Sequence, residues 1–135
     1  SMNESVMITD LRNTILSVNP AFCAMYRYDE GEVVGRDAGF LELRPASGPL
    51  EASEREKMLA GGWTGELITG RKRGEEFPVL FSTSVVRDDT GAPIAVVSIS
   101  RDITEPKRLQ QKLEELQSKL DEMQRKLDKL ESKMK

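Results

Sequence analysis

Histidine is absent from these 135 residues. Without an imidazole the chain holds no Ser-His-Asp or Cys-His nucleophile, no histidine-ligated haem or zinc, and no phosphorylatable histidine. A single cysteine, Cys23, forms neither an internal disulfide nor a thiolate metal cluster, which fits a reducing compartment. Aromatic side chains amount to 5% of the residues, which argues against a large stacked cofactor. No apolar run approaches the length of a membrane span, and no basic segment precedes an apolar one in the manner of a signal peptide. The expectation is a cytoplasmic protein without a membrane segment, with Ser1-Met2 an expression scar. Basic charge is short as well. The formal net charge is -3, and residues 1–104 carry eleven Lys/Arg against sixteen Asp/Glu. Nucleic acid is therefore not the expected partner, because phosphate binding needs a basic face. No acid-base constellation stands out, so an enzyme is not expected.

What the chain does have is a stripe. Leu109, Leu113, Leu116, Leu120, Met123, Leu127, Leu130 and Met134 follow one another at alternating steps of four and three. A straight helix drifts away from a seven-residue stripe, so such a stripe is best buried by supercoiling around a second copy. Residues 105–135 are accordingly predicted as a parallel coiled-coil helix and the protein as a homodimer. With Leu113, Leu120, Leu127 and Met134 at a, lysines 112, 119, 126 and 133 occupy g, while Gln110, Gln117, Gln124 and Glu131 occupy e. A parallel pair sets each g lysine against the partner's following e residue, whereas an antiparallel pair would oppose lysines. Leucine at both a and d leaves a trimer open. The spacing leaves equally open whether the stripe is a native linker or an added dimerisation segment.

The preceding hundred residues read as one modest domain. Val6–Thr9 and Ile15–Val18 form a hairpin. Asn19 caps a brief helix with Pro20 at its first position, Asp29–Val34 forms a second helix stopped by Gly35, and Leu50–Ala60 a third stopped by Gly61-Gly62. Trp63–Lys72, Phe77–Arg87 and Ile94–Ser100 then give three antiparallel strands. Alternation puts Val79, Phe81, Thr83 and Val85 on the dry face, and Val97 with Ile99 opposite in parity to Ser98 and Ser100. The predicted class is α+β: a five-stranded antiparallel sheet with short helices on one face, followed by a long helix.

Several short runs, taken in order, resemble the PAS sensory domain over about residues 5–104, with residues 1–4 a tag remnant and lead. Ile8-Thr9-Asp10 and Val18-Asn19-Pro20-Ala21-Phe22 match its first hairpin and helix. Tyr28 with Glu32-Val33-Val34-Gly35-Arg36 matches the next helix. Trp63-Thr64-Gly65-Glu66-Leu67 and Arg71-Lys72-Arg73-Gly74-Glu75 match the third strand and its turn, and Asp102-Ile103-Thr104 the closing tripeptide. The resemblance implies a non-enzymatic input module of a bacterial-type signal-transduction protein, feeding an output domain that these residues do not contain. It assigns signal relay to Asp102, Ile103 and Thr104. Arg71 is the expected cation for Asp102, and the Thr104 hydroxyl a helix cap, with Pro106 harmless in the first turn.

The same resemblance allows cofactors to be weighed. Light-sensing members attach flavin through a cysteine in a Gly-Arg-Asn-Cys-Arg-Phe-Leu run, and here the run is Gly35-Arg36-Asp37-Ala38-Gly39-Phe40-Leu41. Ala38 replaces the thiol, so covalent FMN is not expected, and haem lacks its histidine. Redox-sensing members that hold FAD often carry a Trp-x-Gly element like Trp63-Thr64-Gly65, with an asparagine where Thr69 stands, so FAD stays open as a second reading. Phe40, Trp63, Leu67, Thr69, Phe81 and Ile99 either line an apolar ligand pocket or fill the core themselves. A small carboxylate held by Arg36 or Arg44 is a further possibility, and a ligand-free dimerisation module another.

Overall fold

The computed structural model describes residues 3–135, and the reading of Ser1-Met2 as a scar lies outside them. The chain divides into two compact units between Ile103 and Thr104. In the first, strands β1 (Ser5–Thr9), β2 (Ile15–Val18), β3 (Thr64–Gly70), β4 (Glu76–Arg87) and β5 (Pro93–Asp102) form one antiparallel sheet in the order β2-β1-β5-β4-β3. Helices α1 (Pro20–Tyr26), α2 (Glu30–Val33) and α3 (Ala52–Ala60) and a 3₁₀ turn at Ala38–Leu41 lie between β2 and β3 in sequence. The second unit is one helix, α4 (Thr104–Met134), of 31 residues.

Local chemistry explains the helix boundaries. The Asn19 carboxamide oxygen accepts the Phe22 N–H at 2.9 Å as the α1 cap, and also the Val6 N–H at 2.9 Å. Its amide nitrogen donates to the Glu4 carbonyl at 3.0 Å, so a single side chain ties β1 to α1. Asp29 opens α2 with a capping box completed by Glu32. The Asp29 backbone N–H and Lys72 both bond the Glu32 carboxylate and hold its pKa low. Gly61 ends α3 at φ +82, and a Cβ there would lie 2.5 Å from the Val85 nitrogen. This position demands glycine on two counts. The third helix starts at Ala52 rather than Leu50, because Glu51 takes the cap position in extended geometry. The 3₁₀ turn, which the sequence reading lacks, is started by Asp37 accepting the Gly39 N–H at 2.8 Å.

The inner sheet face and the helices enclose Phe22, Tyr26, Val33, Leu41, Leu67, Phe77, Val79 and Phe81. Alternation along β4 is as expected, with Val79, Phe81 and Thr83 buried and Leu80 exposed. Along β5 the expectation is inverted. Register sets Ser100 beside Phe81 and Ile99 beside Ser82, so Ser98 and Ser100 face inward while Val97 and Ile99 are half-buried on the outer face. The Ser100 hydroxyl can be buried because the Tyr26 hydroxyl bonds it at 2.8 Å. Tyr26 is fully buried and packs on Phe22 and Phe77 at centroid distances of 4.6 and 5.7 Å. Such aromatic pairs contribute about 0.5–1.5 kcal/mol each beyond the area they bury.

Burial pushes the Tyr26 phenol up to about 12, against the pull of the Ser100 hydrogen bond. In the unfolded chain the group ionises near its ordinary value of 10. Stability linked to the neutral phenol is therefore intact below about pH 10 and is lost as pH rises through about 12, at about 1.4 kcal/mol per pH unit. Urea unfolding followed by Trp63 fluorescence across that interval should show this extra alkaline loss in the wild type and not in Tyr26→Phe.

Candidate functional site

Two sites emerge from this framework. The first is the exit of β5. Arg71, at the β3–β4 turn, has a side chain only 12% exposed. Its guanidinium donates to the Asp102 carboxylate at 3.0 Å, to the Met25 carbonyl at 2.6 Å and to the Glu75 carboxylate at 3.1 Å, and its carbon lies 3.8 Å from the centre of the Phe77 ring. The pairing of Arg71 with Asp102 is thus present, and the same fork reaches the last turn of α1. Ile103 is buried, and its N–H donates to the Pro78 carbonyl at 3.1 Å, which fixes the residue before α4. Thr104 is the first residue of α4 and Pro106 lies in its first turn.

The second site is a cavity of about 340 Å³ over the inner face of β1, β4 and β5. Met7, Thr9, Phe81, Thr83, Val96 and Ser98 form its floor, while Met58 and Leu59 of α3, Leu43 and Ala38 supply wall. The β1–β2 turn closes one side with Leu11, Arg12 and Asn13. Charge is confined to Asp10, Asp37, Glu42, Arg12 and Arg55. Two of these carboxylates are already committed to backbone. Asp10 accepts the N–H groups of Arg12 and Thr14, both at 2.9 Å, and Asp37 accepts that of Gly39.

Of the six residues expected to line a pocket, Phe81 alone reaches this cavity. Leu67 and Thr69 are buried against protein, and the Thr69 hydroxyl donates to the Leu41 carbonyl at 2.6 Å. That hydroxyl is spent on the 3₁₀ turn. Phe40 is half-buried, edge-on to Tyr28 at 5.2 Å and beneath the Arg36 guanidinium at 4.0 Å. Trp63 precedes β3 and folds over Gly65, where a Cβ would lie 2.6 Å from the indole. Ile99, on the outer face, is corrected out of the pocket by the β4–β5 register. Neither Arg36, stacked on Phe40, nor Arg44, ion-paired with Glu76, stands in the cavity wall. Burial raises the Cys23 thiol, with Glu30 and Asp29 adding to the shift, and keeps it protonated on α1. Ala38 is buried in the cavity wall and has no nucleophilic atom, so these residues do not fit a cysteinyl flavin.

One antiparallel sheet with short helices on its inner face and a long helix following its central strand is the architecture of sensory input domains. The chain belongs to the PAS domain family, whose model matches residues 3–105. Among curated relatives, a blue-light-activated histidine kinase of Rhizobium johnstonii is 30% identical over 110 residues, covering 78% of this chain and 32% of its own length. The sensor histidine kinase TmoS of Ectopseudomonas mendocina is 29% identical over 117 residues, covering 82% of this chain and 12% of its own. This chain thus spans a third or less of those relatives. A solved RNA-binding light-oxygen-voltage receptor superposes with a TM-score of 0.68 at 25% identity, over 90% of this chain and 35% of the other.

The Arg71–Asp102 bond should show in a double-mutant cycle. With both groups largely withdrawn from solvent, urea unfolding of Arg71→Ala, Asp102→Ala and the double variant should give a coupling of about 1–2 kcal/mol. Arg71→Ala should cost more than Asp102→Ala, since it also strips the Met25 carbonyl and the Phe77 face. Additive single effects would show that the pair does not link the two strands energetically.

Proposed function

We propose that residues 5–104 are a non-enzymatic, cytoplasmic sensory input domain, and that residues 105–135 pair two chains in parallel and carry the signal to an output domain. The observation that carries the reading is the stripe. Its eight leucines and methionines are 51% to 85% exposed on the single helix, a continuous apolar seam that water disfavours. A second copy of the same helix is the partner that fits a seven-residue repeat without lysines opposed at g. The helix surface beside the seam is self-sufficient. The e-position glutamines 110, 117 and 124 donate to Glu114, Asp121 and Asp128 of their own chain at 3.5, 3.1 and 3.0 Å. Along the same helix Glu122 pairs with Lys126, one turn on, at 3.6 Å.

Signal transfer would run through Arg71, Asp102, Ile103 and Thr104. A ligand that favours one position of α1 relative to the sheet shifts the Arg71 fork, and with it the β5 carboxylate two residues before α4. Relatives named as a blue-light-activated histidine kinase and as a sensor histidine kinase support the input role. An FAD-binding redox sensor is the second reading, supported by Trp63-Thr64-Gly65. It predicts yellow protein with flavin absorbance, and the engagement of Thr69 with Leu41 weighs against it.

Sedimentation should give a dimer at tens of micromolar concentration, and Leu120→Lys, which places a charge in the seam, should give a monomer with the domain still folded. In a Cys23→Ser background, Leu113→Cys should oxidise to a same-position crosslink within a parallel pair. A monomeric wild type, or a pair that refuses this crosslink, would remove the relay.

A further inference from the structure

The floor of the cavity is wetter in character than a sheet's core face should be. Thr9, Thr83 and Ser98 are 3%, 6% and 5% exposed, on three adjacent strands, with Ser98 paired in register between Met7 and Thr83. Burying a hydroxyl without a partner costs about 1–3 kcal/mol, so each needs an explanation. Thr83 has one: its oxygen accepts the N–H groups of Gly62 and Trp63 at 3.1 and 3.2 Å. Ser100, the next inward residue on β5, is bonded by Tyr26. Ser98 and Thr9 differ: among the described residues neither side chain makes a hydrogen bond, and their hydroxyls open onto the cavity rather than being sealed off, the one fully buried hydroxyl without a partner being that of Ser5.

Resting on the sensory reading above, we propose that this cavity takes an uncharged small molecule with an apolar ring or chain and one hydroxyl or carbonyl directed at Ser98 and Thr9. A hydroxyl offers one donor and two acceptor positions, which matches either group. A charged group at the floor is disfavoured because the five ionisable residues of the lining, Arg12 and Arg55 included, belong to the surrounding turns and helices rather than to the strands of the floor, where an ion would have no counter-ion. Met7, Met58, Phe81 and Val96 supply the apolar surface, and the two methionines adapt their shape to the occupant. The space of 340 Å³ corresponds to about eleven waters at ~30 Å³ each, which sets the ligand at about a dozen non-hydrogen atoms.

The test uses three probes on one ring frame: β-naphthol, naphthalene and β-naphthoate, titrated calorimetrically into the whole chain. β-Naphthol should bind about ten-fold more tightly than naphthalene, as one hydrogen bond to a buried partner implies, and β-naphthoate more weakly than both. Ser98→Ala, which breaks no bond within the protein, should abolish the preference for the hydroxyl and leave naphthalene affinity unchanged. Equal binding of the two neutral probes, tighter binding of the carboxylate, an unaltered preference in Ser98→Ala, or no binding at all would each overturn the proposal. The wild-type comparison decides without the variant. Sedimentation of the same samples reports the tail dimer separately, so a cavity that rejects these probes is distinguishable from a failure of the input reading.

Discussion

The domain's exit geometry depends on one guanidinium. Arg71 is the point where the end of α1, the β3–β4 turn, the Phe77 ring and the last residue of β5 meet, and its planar fork satisfies three acceptors in different directions while stacking on a fourth group. A lysine has the charge but not the fork, and could not hold a carbonyl and two carboxylates with fixed geometry. Because the Met25 carbonyl lies at the open end of α1, the arginine also answers a backbone acceptor that the helix itself leaves unpaired. Helix layer and strand exit are thereby mechanically continuous.

The sheet has two unlike halves. Around Tyr26 three aromatics are gathered: Tyr26 packs against both Phe22 and Phe77. Towards the β1–β2 turn and α3 Phe81 is the one aromatic in the cavity lining, and the floor carries the hydroxyls of Thr9, Thr83 and Ser98 beside Met7 and Val96.

Much of this was legible in the residues. Asn19 before Pro20, Gly61 after a helical run, the strict alternation of β4 and the spacing of the tail each encode their structure locally, so reading them needs no knowledge of distant contacts. The parity of β5 was not legible, because Ser100 is tolerated inside only through Tyr26, separated from it by 74 positions. Thr69 was misplaced for the same reason: its partner is a carbonyl of the 3₁₀ turn, 28 positions away. The cavity itself escaped because its wall includes α3, whose sequence carries little helical amphipathicity, and a turn whose Asp10, Arg12 and Asn13 read as ordinary loop residues.

The character of α3 has a kinetic meaning. That helix buries none of its side chains completely, and its C-terminal end is pinned where Gly61 meets the backbone of β4. A wall anchored at one end and lightly packed along its length is displaced at far less cost than the aromatic cluster beside Tyr26. Opening of the cavity wall to solvent is then a matter of local breathing, with a rate that need not follow the global stability of the sheet.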